Sequence, residues 1–301
     1  METATHHSIY IPSEDITRYI PKELAHCKSN EYKNVVGLLY QWQTGYYSYE
    51  EFRVQAAASL LNLELDIKKN TSEGSKETED FHANLYQISE LIDSFFNKTE
   101  EGNLAIKQDF VTNHSPTVTP IFIKLHGPKA RFTNVTFGQY EDALNLFQMY
   151  FRGRDVRYLY MLMATFYLAK NQPYNKESVE KRIYLFKKHL HFGQVYGFFL
   201  FFGAFQEYVS SSKVLWENKV IDLSILFESH PDEKESKSKI PGLGFKSLAY
   251  QLAESGVFGK LNELRQEKLW EVLLRLYDIR KRDLDALAEA KKDEEKAKHK
   301  N

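Results

Sequence analysis

The sequence predicts a mainly α protein. Long stretches repeat apolar residues at i, i+3, i+4 and i+7, several open on helix-capping residues, and a hydrophobic share of 43% is enough for a packed core. The expected architecture is a multi-helix orthogonal bundle with a small extended or β insertion around residues 104–132.

Residues 1–67 read as an N-terminal helical hairpin segment. Its first helix, Glu31 to Gln43, carries Tyr32, Val35, Val36, Leu39, Tyr40 and Trp42 on one face, and Gly45 supplies the stop. Ser48 with Glu51 three residues on is a capping box, so a second helix is expected with Phe52, Ala56, Ser59, Leu60 and Leu63 inward. Residues 68–80 lack apolar anchors and read as a polar linker.

The main helical domain is expected over 81–285. Phe81, Leu85, Ile88, Leu91, Ile92 and Phe95 restore a helical stripe. From Leu104 to Phe132 the pattern turns strand-like, with PIFIKLHGP from Pro120 set among turn residues. Thr136 and Gln139 form another capping box, before a helix bearing Tyr140, Ala143, Leu144, Phe147 and Tyr150. Val156 to Lys170 is apolar enough for a central helix, and Asn175 can cap one that turns Val179, Ile183 and Phe186 inward.

Val195 to Phe205 (VYGFFLFFGAF) falls far short of the roughly 20 apolar residues of a membrane span. It reads as a buried helix, with Gly197 and Gly203 permitting close packing. Leu215 to Phe227 is expected to be helical or part-helical, and 229–243 an exposed loop. A short amphipathic helix to Glu254, a turn at Gly256–Gly259 and a last helix with Leu264, Leu269, Val272, Leu273 and Leu276 follow. Residues 286–301 read as a charged C-terminal tail, a solvated helix end.

The composition narrows the function. Forty basic against 41 acidic residues give a net charge of -1, so nucleic acid is not expected as a partner. The single cysteine, Cys27, excludes an internal disulfide and a multi-cysteine zinc site. Met1 to Ser13 has no basic stretch followed by an apolar one, which leads to an intracellular expectation. His189 and His191, two apart on a helix, point to different faces and make a poor metal site. Cys27 beside His26 reads as incidental. No G-x-S-x-G elbow, phosphate-binding lysine loop or dinucleotide fingerprint follows a strand, and Asp93, Asp142 and Asp155 show no acid–base spacing. Arg152, Arg154 and Arg157 around Asp155 read as an ion-paired helix junction. The chain is therefore expected to be no enzyme and to use no cofactor or metal. Twenty-one Phe and 19 Tyr suit a surface that meets other proteins. Tyr46, Tyr47 and Tyr49, in the turn between the first two helices, are the candidate protein-binding residues, with a packed hairpin tip as the alternative.

Several blocks resemble a family from the tail-morphogenesis region of Bacteroidetes phages and prophages. They are IPKEL from Ile20, YSYEEFRVQAAASLLNL from Tyr47, GPKARFTNVTFGQY from Gly127, DVRYLYMLMATFYLAKNQPYN from Asp155 and the LAYQLAESGVFGKLNELRQEKLWEVLLRLYDIRK ending. They cover most of the chain in scattered pieces, and none is a catalytic signature. The resemblance implies a tail-assembly-chaperone-like or accessory structural role in phage tail assembly. It also implies a protein partner such as a tape-measure or tail-tube protein, possible self-association into a homo-oligomer, and a location in the cytoplasm of the bacterial host or on the virion. No residue role carries over, and the chain is longer than a minimal tail-assembly chaperone. A host-directed adaptor unrelated to virion assembly is the competing expectation.

Overall fold

The structure, a computed structural model, describes residues 2–12, 15–63, 76–109, 111–211, 213–216, 218–227 and 245–298. The loop expected at 229–243 and the linker up to residue 75 lie outside them. The fold is mainly α, with short strands in small sheets. The chain divides into two compact units, one of residues 1–124 and 181–202, the other of 125–180 and 203–301.

The first unit opens with an antiparallel hairpin, β1 (His6–Ile11) and β2 (Ile16–Pro21), in register from His6↔Pro21 to Ile11↔Ile16. The sequence reading expected no strand here. Its signal was the pair of β-branched and aromatic runs, SIYI and ITRYI, separated in the sequence by Pro-Ser-Glu-Asp. Helices α1 (Ser29–Gln43) and α2 (Tyr49–Leu61) then form the expected helical hairpin. Tyr32, Val35, Val36 and Leu39 are buried on α1. Gly45, at φ +79°, ends it: Gly45 N–H donates to the Trp42 carbonyl and Tyr46 N–H to that of Gln41, a Schellman closure. Ser48 and Glu51 form the expected reciprocal cap of α2, at 3.2 and 2.7 Å.

Helix α3 (Lys76–Ser89) runs into a 3-10 turn, Glu90–Phe95, and β3 (Phe96–Lys98) pairs with β4 (Leu104–Ile106). This β4 falls within the insertion expected at 104–132. Helix α7 (Phe192–Ser211), reached through α6 (Val179–His189), brings Val195, Tyr196, Phe198, Phe199, Phe201 and Phe202 into the first unit, all buried. The apolar run is thus a buried helix. Among the described residues no helix is long and apolar enough to cross a membrane.

The first unit also holds histidines whose burial disfavours their charged form. His114 is 8% exposed, its ring stacked on Tyr32 at 3.9 Å. Burial lowers its pKa below 6.5, against the opposing pull of Asp109 and a backbone hydrogen bond at Cys27. Burial and, secondarily, Lys22 do the same for His7; burial and Lys33 do so for His191. A base with a lowered folded pKa binds fewer protons folded than unfolded, so its contribution is complete above 6.5 and is lost as pH falls below it. The Tm, followed by far-UV circular dichroism, is expected to hold between about pH 8 and 7 and to drop from about pH 6.5 towards 5. A His114→Gln variant should flatten that drop.

In the second unit, β5 (Leu125–His126) pairs with β6 (Leu168–Ala169). Helix α4 (Phe137–Gly153) carries the expected Thr136–Gln139 cap. The apolar stretch from Val156 yields α5 (Arg157–Phe166), which stops short of β6 because Tyr167 turns extended. The end of α7 supplies Phe205, stacked on Phe132 at 4.2 Å. Leu215 to Phe227 is only part-helical: β7 (Lys213–Trp216) and β8 (Lys219–Asp222) form a hairpin before a 3-10 turn at Leu223–Leu226. Helix α8 (Phe245–Glu254), a turn with Gly256 and Gly259 at φ +71° and +73°, and α9 (Leu269–Lys298) complete the unit. The charged tail is helical to Lys298, with surface pairs such as Asp293–Lys296 three residues apart.

Candidate protein-binding site

The three tyrosines singled out in the sequence do not form one surface. Tyr46 is 73% exposed at the hairpin tip, its ring edge-on to half-buried Tyr47 at 4.9 Å. Tyr49 belongs to the scaffold. Its ring lies 5.1 Å from Trp42 and 5.9 Å from Phe96, and its hydroxyl donates to Asp93 at 2.7 Å. Burial and the Asp93 hydrogen bond push its phenol pKa up. Arg53, only 9% exposed, reaches the same carboxylate at 3.3 Å and lies over the Tyr49 ring. Tyr49→Ser is therefore expected to cost about 3 kcal/mol by urea denaturation, as truncating a packed aromatic does. Tyr46→Ser should stay within about 0.5 kcal/mol of the wild type. Of Tyr46 and Tyr49, Tyr46 is the one that can be varied for binding without disturbing the fold.

The other chemical candidates resolve as scaffold. Cys27 is 6% exposed, and burial followed by the Glu31 charge pushes its thiol pKa up, away from nucleophilic use. His189 is exposed, and the His191 ring accepts from Gly193 N–H at 3.1 Å. Asp155 caps the backbone N–H of Arg157 at 2.8 Å, while the Arg154 guanidinium lies over Tyr150 and Phe151. The junction thus uses a cap and ring stacking where side-chain ion pairs were expected. No group of three or more His, Cys, Asp or Glu that could hold a metal ion occurs among the described residues.

The least expected surface is a four-residue turn in the first unit, Pro120–Ile121–Phe122–Ile123. Ile123 N–H closes it on the Pro120 carbonyl at 3.3 Å. Phe122 is 93% exposed, and Ile121 and Ile123 are about half exposed. Three consecutive large apolar side chains in water are a liability that scattered surface hydrophobics are not. The backbone adds to the cost, since Ile121 sits at φ +61°, a left-handed position that β-branched residues avoid. Strain of this kind costs on the order of 1–3 kcal/mol and collects where function requires it. In the sequence, PIFI reads as a strand because apolar β-branched residues dominate it. Its best warning was the missing polar alternation between Pro120 and Lys124.

A second feature of the same unit is an apolar groove of about 800 Å³ formed by β1, the end of α2 and α3. Ile9, Ile11, Leu63, Phe81, Leu85 and Ile88 give it an oily floor. Asp80 stands at the rim next to exposed Glu79.

The second unit has a cavity of about 290 Å³ lined by Arg131, Tyr208, Lys268, Trp270 and Glu271. Trp270 Nε1–H donates to the Arg131 carbonyl at 2.8 Å, and Arg131 and Phe132 are both left-handed. Glu271 is the one carboxylate among its described lining residues, so no acid–base pair converges there.

No protein-family model matches the chain, and no curated protein or solved structure does either.

Proposed function

We propose that this chain is a non-enzymatic protein-binding component, of the tail-assembly-chaperone-like or accessory structural kind, acting in phage tail assembly in the cytoplasm of a bacterial host. The observation that carries the binding half is the Pro120–Ile123 turn. A strained backbone holds Phe122 in solvent, where an aromatic anchor has value only once a partner covers it. The sequence blocks from Gly127, Asp155 and the C-terminal region supply the assembly half and the client class, a tape-measure or tail-tube protein. Such a client offers the apolar stripe of a long amphipathic helix, against which an exposed aromatic anchor can pack.

The test is a pull-down of the tagged full chain from cells expressing its neighbouring genes, with mass spectrometry of the eluate. Recovery of a tape-measure or tail-tube protein in stable proportion, reduced at least tenfold by Phe122→Asp, is the expected result. Recovery unchanged by Phe122→Asp removes the turn from the binding site. Recovery of host proteins alone turns the reading to a host-directed adaptor.

A further inference from the structure

Both halves of a contact lie on the first unit: an exposed apolar knob at Ile121–Phe122–Ile123 and an apolar groove between β1 and α3. Phe122 is 93% exposed, so it is not seated in the groove of its own chain. We infer that the Phe122 knob of one copy seats in the β1–α3 groove of a second copy, so that the chain associates with itself head to tail. This rests on the reading of the turn as a binding site and gives that site a second occupant, which competes with the client.

Volume, charge and area bear on that assignment. The groove, at about 800 Å³, lies within the range of pockets that enclose drug-sized ligands, and so has room for a phenylalanine and its flanking isoleucines. Exposed Lys124 follows the knob directly. Of the two charged residues that line the groove, Arg18 is engaged by its Nη1–H donating to the Leu61 carbonyl at 3.0 Å, whereas Asp80 is exposed. Seating the knob therefore brings opposite charges to the rim, which favours this register over others. An aromatic side chain buries about 150–250 Å², so three side chains and the walls they cover fall below the ~1,200 Å² of a stable standard-size interface. The contact is accordingly weak and concentration-dependent. It is also heterologous, because each copy offers a knob to one neighbour and a groove to another, which generates an open chain of copies or a ring.

Sedimentation velocity of the full chain over about 1–200 µM reads this directly. The wild type is expected to show a weight-average sedimentation coefficient that rises with concentration, and Phe122→Asp and Phe81→Asp each to remain monomeric. Both residues are substantially exposed, and matching far-UV spectra will show that both variants fold. The decisive arm mixes the two variants. The first keeps a good groove and the second a good knob, so an equimolar mixture should form a heterodimer that grows no further. A second pair tests the rim: Lys124→Asp should weaken association and Lys124→Asp with Asp80→Lys should restore it. A wild type that stays monomeric throughout, association that survives either aspartate substitution, or a mixture that forms no heterodimer overturns the inference. A monomeric wild type that still loses its client with Phe122→Asp removes self-association and leaves the proposed function standing. Failure of both experiments removes both.

Discussion

Gly193→Ala is expected to destabilise the first unit by about 3 kcal/mol or more, the upper range for forcing extra volume into a packed site. A Cβ built on Gly193 lies 1.7 Å from the Lys33 carbonyl oxygen and 2.7 Å from its carbon, both main-chain atoms of α1. Main chain cannot rotate aside as a side chain does, so α1 and α7 must separate. Gly37 shares this approach, since a Cβ there comes 3.9 Å from the Gly193 Cα, an ordinary contact. One turn along α7, a Cβ on Gly197 meets the Tyr32 ring at 2.5 Å, and Tyr32 holds the same seam with hydrogen bonds to the Gly197 carbonyl at 3.2 Å and to Gln108 at 2.9 Å. Separation therefore also strips partners from a buried hydroxyl. Gly153→Ala is the control, because its Cβ meets nothing within 4 Å. It should match the wild type or gain up to about 1 kcal/mol through a less flexible unfolded chain. Equilibrium urea denaturation compares the two, and a Gly193→Ala midpoint equal to that of Gly153→Ala would show that the helices do not approach through Gly193.

That seam illustrates what the sequence could and could not convey. The glycines of the VYGFFLFFGAF run, Gly197 and Gly203, read as licences for close packing, and Gly197 does face a tight contact. The tightest approach, at Gly193, sits outside the run, and only the neighbouring helix reveals it. Local signals carried well where their physics is local: the Ser48–Glu51 and Thr136–Gln139 caps and the Tyr32–Leu39 stripe need residues within a turn or two. The β1–β2 and β7–β8 hairpins and strand β3 escaped because strands of three to six residues leave too few alternations to separate from helix ends. The candidate surface was half legible. Tyr46 is exposed as a turn residue should be, but Tyr49 is held by Asp93, 44 residues away. Exposure of Phe122 is a property of its surroundings, and within PIFI the missing polar alternation was the one hint of a tip.

Arg265→Met is expected to cost the second unit about 3–5 kcal/mol, because it takes from two buried carboxylates the guanidinium they share. Glu141 and Asp142 are consecutive on α4, with side chains 5% and 11% exposed. Neighbours of like charge are tolerable there only because the Arg265 fork spans them, pairing with Glu141 and, at 2.6 Å, with Asp142. Tyr174 hydroxyl donates to Asp142 at 2.7 Å, and Lys176 approaches its other oxygen at 3.4 Å from an exposed position. The backbone of the same segment is tied to α4 independently: Gly138 N–H donates to the Arg265 carbonyl at 2.9 Å and Phe137 N–H to that of Glu267 at 2.8 Å. Methionine keeps the length of the side chain and leaves these main-chain bonds in place, so the measured loss reports the charges. One consequence separates this account from simple loss of packing. Adding Glu141→Gln to Arg265→Met should recover part of the loss at neutral pH, whereas Glu141→Gln alone should destabilise. A deficit unaffected by Glu141→Gln would mean that Arg265 serves α4 through its aliphatic stem, with the 124-residue link to Glu141 contributing nothing by charge.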